Sequence, residues 1–161
     1  MAKFALAVTV CIVLALPASA HVVVTPETSE AGRWERYAVL VPTENDSPTV
    51  KVEVLLPTGM EIVALEAKPG WEARHEPFPI GAARVRWQGG RISQGQFLVF
   101  EFLAWNPPAA RTIEWAATQW YENGKSDRWG GATGAAGEGS STVLRPSTGK
   151  FDKYRHAPDG R

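Results

Sequence analysis

The chain has 161 residues, with 17 basic and 17 acidic side chains and one cysteine. Balanced charge supplies no basic stripe for nucleic acid or for an anionic membrane surface. Cys11 lies in the N-terminal apolar segment, so the rest of the chain has no disulfide, no zinc–thiolate site, no cysteine nucleophile and no thiolate for a blue-copper centre.

Lys3 precedes an almost unbroken apolar run from Phe4 to Leu16, which ends in Ala18-Ser19-Ala20. A positive start, an apolar stretch and small residues at the end form the pattern of a secretory leader. The run is 13 residues, short of the roughly 20 that span a bilayer as a helix. The expectation is a signal peptide over 1–20, cleavage between Ala20 and His21, and a periplasmic or secreted product. Losing Lys3 leaves 16 basic against 17 acidic residues.

From His21 onward the pattern is all-β. Val22-Val23-Val24 opens a strand over 22–25, and 27–34 reads as a turn around Gly32. Tyr37, Val39 and Val41 alternate with Arg36, Ala38 and Leu40 in a strand over 35–42; Val50, Val52, Val54 and Leu56 do the same with Lys51 and Glu53. Period-two alternation bounded by Pro and Gly marks half-buried strands. Further strands are expected at 61–67, 71–76, 83–88, 96–105, 112–121, 126–129 and 142–145. Gly70, Gly81, Gly89-Gly90, Pro107-Pro108 and Asn123-Gly124 fall between them. No segment carries a 3.6-residue apolar stripe. Short strands with turn signals at this spacing predict a two-sheet β-sandwich over 21–146. Residues 130–141 read as a Gly-rich loop and 147–161 as a polar, flexible tail without an anchor.

Cleavage before His21 would leave a free amine beside an imidazole. The amine and Nδ1 of one residue can chelate a metal in a six-membered ring, and neutral nitrogen donors favour Cu(II) among the divalent ions. Soft ligands for Cu(I) are scarce, because Met60 is the only methionine after residue 20. Of the other histidines, His75 reads as a surface residue before a Pro turn and His156 as part of the tail. If strands 22–25 and 35–42 pair antiparallel, the end of the second lies beside His21, which brings Glu44 close. Glu35 would sit roughly 25 Å away at ~3.3 Å per residue. Glu101 is the other acid to weigh. It shares a strand face with Val99 and Leu103, and needs a partner if that face is buried. Protons compete for both nitrogens, so copper is expected to leave as pH falls.

Six motifs then follow in order. They are His21-Val22-x-Val24-x-Pro26-x-x-Ser29-x-x-Gly32, Val41-Pro42-Thr43-Glu44, Pro48-Thr49-x-Lys51-Val52-x-Val54-x-x-Pro57-x-Gly59, Pro69-Gly70-Trp71, Phe100-x-Phe102-x-Ala104-x-Asn106-Pro107, and Gln119-x-Tyr121-x-x-Gly124 with Trp129 after it. Together they resemble the YcnI-like exported copper-binding proteins over about residues 21–130. The resemblance implies a cupredoxin-like or fibronectin-like sandwich that binds Cu(II) through the amine and imidazole of His21. It implies an acidic ligand, which maps to Glu44, and a tryptophan near the metal, which maps to Trp129. It also implies a role in copper homeostasis beside a membrane copper transporter or another copper chaperone, and no enzymatic activity.

Two other functions fit parts of the pattern. A copper monooxygenase would need a second histidine in the site, from His75 or His156. A metal-free carbohydrate-binding or adhesion sandwich would use an exposed row among the seven tryptophans.

Overall fold

The computed structural model describes residues 21–78, 81–131 and 139–147. Residues 1–20, where a signal peptide is expected, residues 132–138 of the Gly-rich segment, and residues 148–161 with His156 lie outside the described residues. The strands are β1 (Val23–Thr25), β2 (Thr28–Glu30), β3 (Trp34–Pro42), β4 (Thr49–Leu56), β5 (Glu61–Leu65) and β6 (Glu72–Phe78). They continue as β7 (Ala82–Ile92), β8 (Phe97–Trp105), β9 (Arg111–Glu114), β10 (Ala116–Tyr121), β11 (Ser126–Trp129) and β12 (Ser141–Arg145).

Two sheets pack face to face, in the orders β1-β3-β8-β5 and β11-β10-β4-β7-β6. The apolar alternation dictates which side of each strand turns inward. Tyr37, Val39 and Val41 of β3 and Phe100, Phe102 and Ala104 of β8 meet Val52, Val54, Val85 and Trp87 of the other sheet, all essentially without solvent contact. Burying each large apolar side chain contributes ~1.5–3 kcal/mol. The aromatic members pack edge to face and tilted, with ring centroids 4.9 Å apart for Tyr37–Trp115 and 5.1 Å for Trp87–Phe100.

The sequence pattern and the structure differ in three places. Residues 27–34 are not only a turn, since β2 pairs in parallel with β12, which pairs antiparallel with β9 in a small third sheet. The stretch 112–121 is two strands, because the chain changes sheet at Trp115. Its amide donates to Ser140 O (3.0 Å) and its indole Nε1 to Thr142 Oγ1 (3.0 Å), so its bonds extend the β9–β12 pairing, and the ladder with β4 begins only at Ala116. Gly89-Gly90 does not end β7, which runs on to Ile92. A Cβ on Gly90 would lie 2.2 Å from the Trp71 indole; glycine there admits the ring against the strand.

Candidate functional site

β1 pairs antiparallel with β3, with Val23 opposite Leu40 and Thr25 opposite Ala38. Two residues before Val23, His21 therefore comes level with the Pro42 end of β3, and the segment carrying Glu44 begins beside it. β11 delivers Trp129 to the same place. The His21 and Trp129 rings lie 5.0 Å apart at an interplanar angle of 36°. The Trp129 indole Nε1 is buried, with no hydrogen-bond partner among the described residues.

The backbone leading into Glu44 is held on several sides. The Thr43 amide donates to Gln96 O (2.9 Å) and its carbonyl accepts from Gly95 N (2.8 Å). Its buried hydroxyl meets Thr49 Oγ1 at 2.6 Å. Gln119 Nε2 donates to Pro42 O (2.8 Å) and to Thr49 Oγ1 (2.5 Å). Thr49 is turned inward by an irregularity in the β4–β7 register between Thr49 and Lys51. The far end of the 43–48 segment is tied to the β10–β11 turn, where Glu122 N donates to Pro48 O (2.9 Å) and Asn123 N to Ser47 Oγ (3.0 Å). Glu44 itself is exposed.

A second acid approaches from β11. Tyr121 Oη donates to Asp127 Oδ2 at 2.7 Å. Burial pushes the Tyr121 phenol up, and the Asp127 carboxylate and then the Glu44 charge push it the same way, so the phenol stays neutral between two acids. The sequence reading passes over this pair. The available signal was parity: Gln119 and Tyr121 share the inward face of β10 with Ala117.

Other candidates lie elsewhere. Glu101 is on the outer face of β8, level with Ala38, and pairs with Arg36 Nη1 at 3.9 Å. It stands four residues, about 13 Å along the strand, from the Pro42 level. Glu35 accepts from Ser29 Oγ (2.7 Å) at the opposite end. Met60 is buried in the core. His75 is exposed on β6, at the opposite edge of the five-stranded sheet from β11, four strand spacings or about 19 Å across. Of the tryptophans, Trp87 and Trp115 are buried, Trp71 and Trp129 pack on the core, and Trp120 lies beneath Lys51 Nζ (3.6 Å to the ring centroid); exposed Trp34 faces half-buried Trp105 across β3 and β8, a single cross-strand pair rather than a row.

Residues 21–148 match the family described as Domain of unknown function (DUF1775). The chain belongs to that family. It is 40% identical over 117 residues to the copper-binding protein CutI of Bacillus subtilis, a match covering 71% of this chain and 57% of CutI. The chain thus spans little more than half the length of that relative; the family match and the identity bear out the YcnI-like resemblance read from the motifs. An uncharacterised Nocardia farcinica protein with an immunoglobulin-like fold is 26% identical, with a TM-score of 0.62 over 77% of this chain and 97% of its own. A cohesin module from a Clostridium perfringens family 33 glycoside hydrolase shares the fold at 10% identity, with a TM-score of 0.54 over 80% of this chain and 100% of its own.

In this DUF1775 chain the donors at the β1 end suit a borderline dication. The His21 imidazole lies against the Trp129 ring, whose buried Nε1 has no hydrogen-bond partner among the described residues, and the β1–β3 register brings the segment carrying Glu44 to the same end. Among the described residues no group of three or more His, Cys, Asp and Glu side chains is placed to hold a metal ion. A metal here needs a donor from outside that set.

Proposed function

We propose that the protein is exported, loses residues 1–20, and holds Cu(II) through the His21 amine and Nδ1 together with the Glu44 carboxylate. It acts as a non-enzymatic copper carrier in copper homeostasis, sequestering the ion or passing it to a membrane transporter or another chaperone. The observation that carries this reading is the packing of the His21 ring against the tilted Trp129 ring at 5.0 Å, where the register also brings in the Glu44 segment. The missing donor is then the amine that cleavage would free, a nitrogen no side-chain inventory contains. Chelation by one residue avoids the entropy of ordering a second side chain. Few protein ligands leave positions open to an incoming ligand, as transfer requires. The CutI relationship supports copper as the ion.

The test compares Cu(II) titrations of a chain starting at His21 and the same chain with one extra N-terminal alanine. Tight 1:1 binding that collapses in the extended chain is the expected result. Equal binding by both, or none by either, rejects the brace. N-terminal sequencing of the exported protein checks the cleavage site.

A further inference from the structure

Asp127 has no part in the ligand set just described, yet its placement is specific. It lies two residues before Trp129 on the same face of β11, about 6.7 Å along the strand. Its partner Tyr121 is buried, anchored on β10, and donates its only hydroxyl proton to Oδ2 at 2.7 Å. A neutral donor fixes a carboxylate's direction without cancelling its charge; an arginine would do both. The segment carrying Glu44 is tied to the β10–β11 turn next to Tyr121 through Pro48 O and Ser47 Oγ, so Asp127 stands on the strand that borders the Glu44 loop.

We propose that Asp127, oriented by Tyr121, is a positioning residue of the metal site: a fixed outer carboxylate that does not coordinate the ion but attracts and retains it by charge. This rests on the His21–Glu44 reading. With a neutral amine, a neutral imidazole and two carboxylates, a Cu(II) site is charge-balanced and a Cu(I) site carries one excess negative charge. Asp127 therefore favours Cu(II). Because Asp127 is exposed, its effect is screened by salt.

The experiment uses the chain starting at His21, with Asp127→Asn, Asp127→Glu and Tyr121→Phe. Cu(II) and Cu(I) affinities are measured at low and high ionic strength, and EPR spectra are recorded. A unit charge within about 10 Å of the ion predicts about fivefold weaker Cu(II) binding for Asp127→Asn. The Cu(I) loss is about twofold, roughly the square root, since the ionic charge is halved. The Cu(II) loss shrinks at high salt, Asp127→Glu restores most of it, and the EPR spectrum keeps its wild-type form. Tyr121→Phe, which keeps the charge but frees its direction, gives a smaller loss. Equal losses for both oxidation states, or a loss insensitive to salt, indicate a structural role and overturn the proposal. An EPR spectrum that changes in Asp127→Asn makes Asp127 a ligand and overturns it too. If the alanine-extended chain binds as well as the parent, the His21 reading itself has failed and the proposal goes with it; if only the extended chain fails while Asp127→Asn matches the parent, the outer-charge proposal alone is rejected.

Discussion

Gly130 crosses the backbone of Trp115 so closely that a Cβ on Gly130 would lie 2.1 Å from the Trp115 carbonyl oxygen. Its φ of 65° is also one that residues with a side chain rarely adopt. Gly139 joins the same crossing, where a Cβ would come 2.6 Å from Gly130 Cα and 3.3 Å from the Trp115 carbonyl oxygen. Trp129 is thus clamped by the residue that follows it, which fixes how its indole meets His21. Gly130→Ala should cost about 2–4 kcal/mol, from a strained φ plus overpacking. It should also weaken Cu(II) binding, because Trp129 must shift. Urea unfolding and a Cu(II) titration of the folded variant check both; wild-type stability in Gly130→Ala would rule out the clamp.

The loop that presents Glu44 is a separate lever. Gln119 Nε2 donates both to Pro42 O and to Thr49 Oγ1, and Thr49 in turn holds Thr43. Gln119→Leu removes both donations, one to the half-buried Pro42 carbonyl and one to the buried Thr49 hydroxyl, which costs ~1–3 kcal/mol. Cu(II) affinity should fall by more than it does for a core substitution of equal cost, such as Ile113→Val, since Ile113 sits in the core on β9. Equal affinity losses in the two variants would mean that Gln119 acts only through global stability.

On the outer face of the five-stranded sheet, Glu53 is a nearly buried carboxylate under three cations. It accepts from Arg86 Nε (2.7 Å) and Arg84 Nη1 (3.4 Å), with Lys51 Nζ at 3.8 Å. Glu76 shares both arginines. Glu53→Ala leaves three positive charges crowded around one remaining acid, and should cost about 3–5 kcal/mol. Copper binding should stay unchanged, because β4 presents Glu53 on the face opposite the core. A denaturation curve coincident with wild type would show that the cluster contributes nothing.

Much of this was readable in the chain. Period-two alternation in residues 35–42 and 52–56 identified the inward faces of β3 and β4, because a sandwich strand must bury one face; at Val50 it failed, since the irregularity at the start of β4 turns Thr49 inward instead. The antiparallel pairing that places His21 near the Glu44 segment follows from the same pattern. What was not readable depends on contacts between residues distant in sequence. The change of sheet at Trp115 arises because its amide and indole bond to Ser140 and Thr142, about 25 residues later. The Tyr121–Asp127 pair depends on the β10–β11 register. Gly90 looked like a strand end because the sequence does not reveal the Trp71 ring lying against it.

The two buried tyrosines make a prediction for the alkaline side. Burial, reinforced by the Glu35 charge, pushes the Tyr37 phenol well above its usual value, and the phenol donates its proton to Asn106 Oδ1 (2.6 Å). Tyr121 is raised by burial and by Asp127. A phenol raised in the folded state keeps its proton while the unfolded chain has already released it. Its contribution to stability is therefore complete below the unfolded value of about 10 and is lost as pH rises from there towards the folded value. Each phenol should give a slope of about 1.4 kcal/mol per pH unit, so the pair gives about 2.8. Tyr37→Phe should halve that alkaline slope while also lowering neutral-pH stability by ~1–2 kcal/mol through the lost Asn106 bond. Urea midpoints measured across the alkaline range separate the two effects; a slope identical to wild type would show that Tyr37 ionises as freely in the folded chain as in the unfolded one.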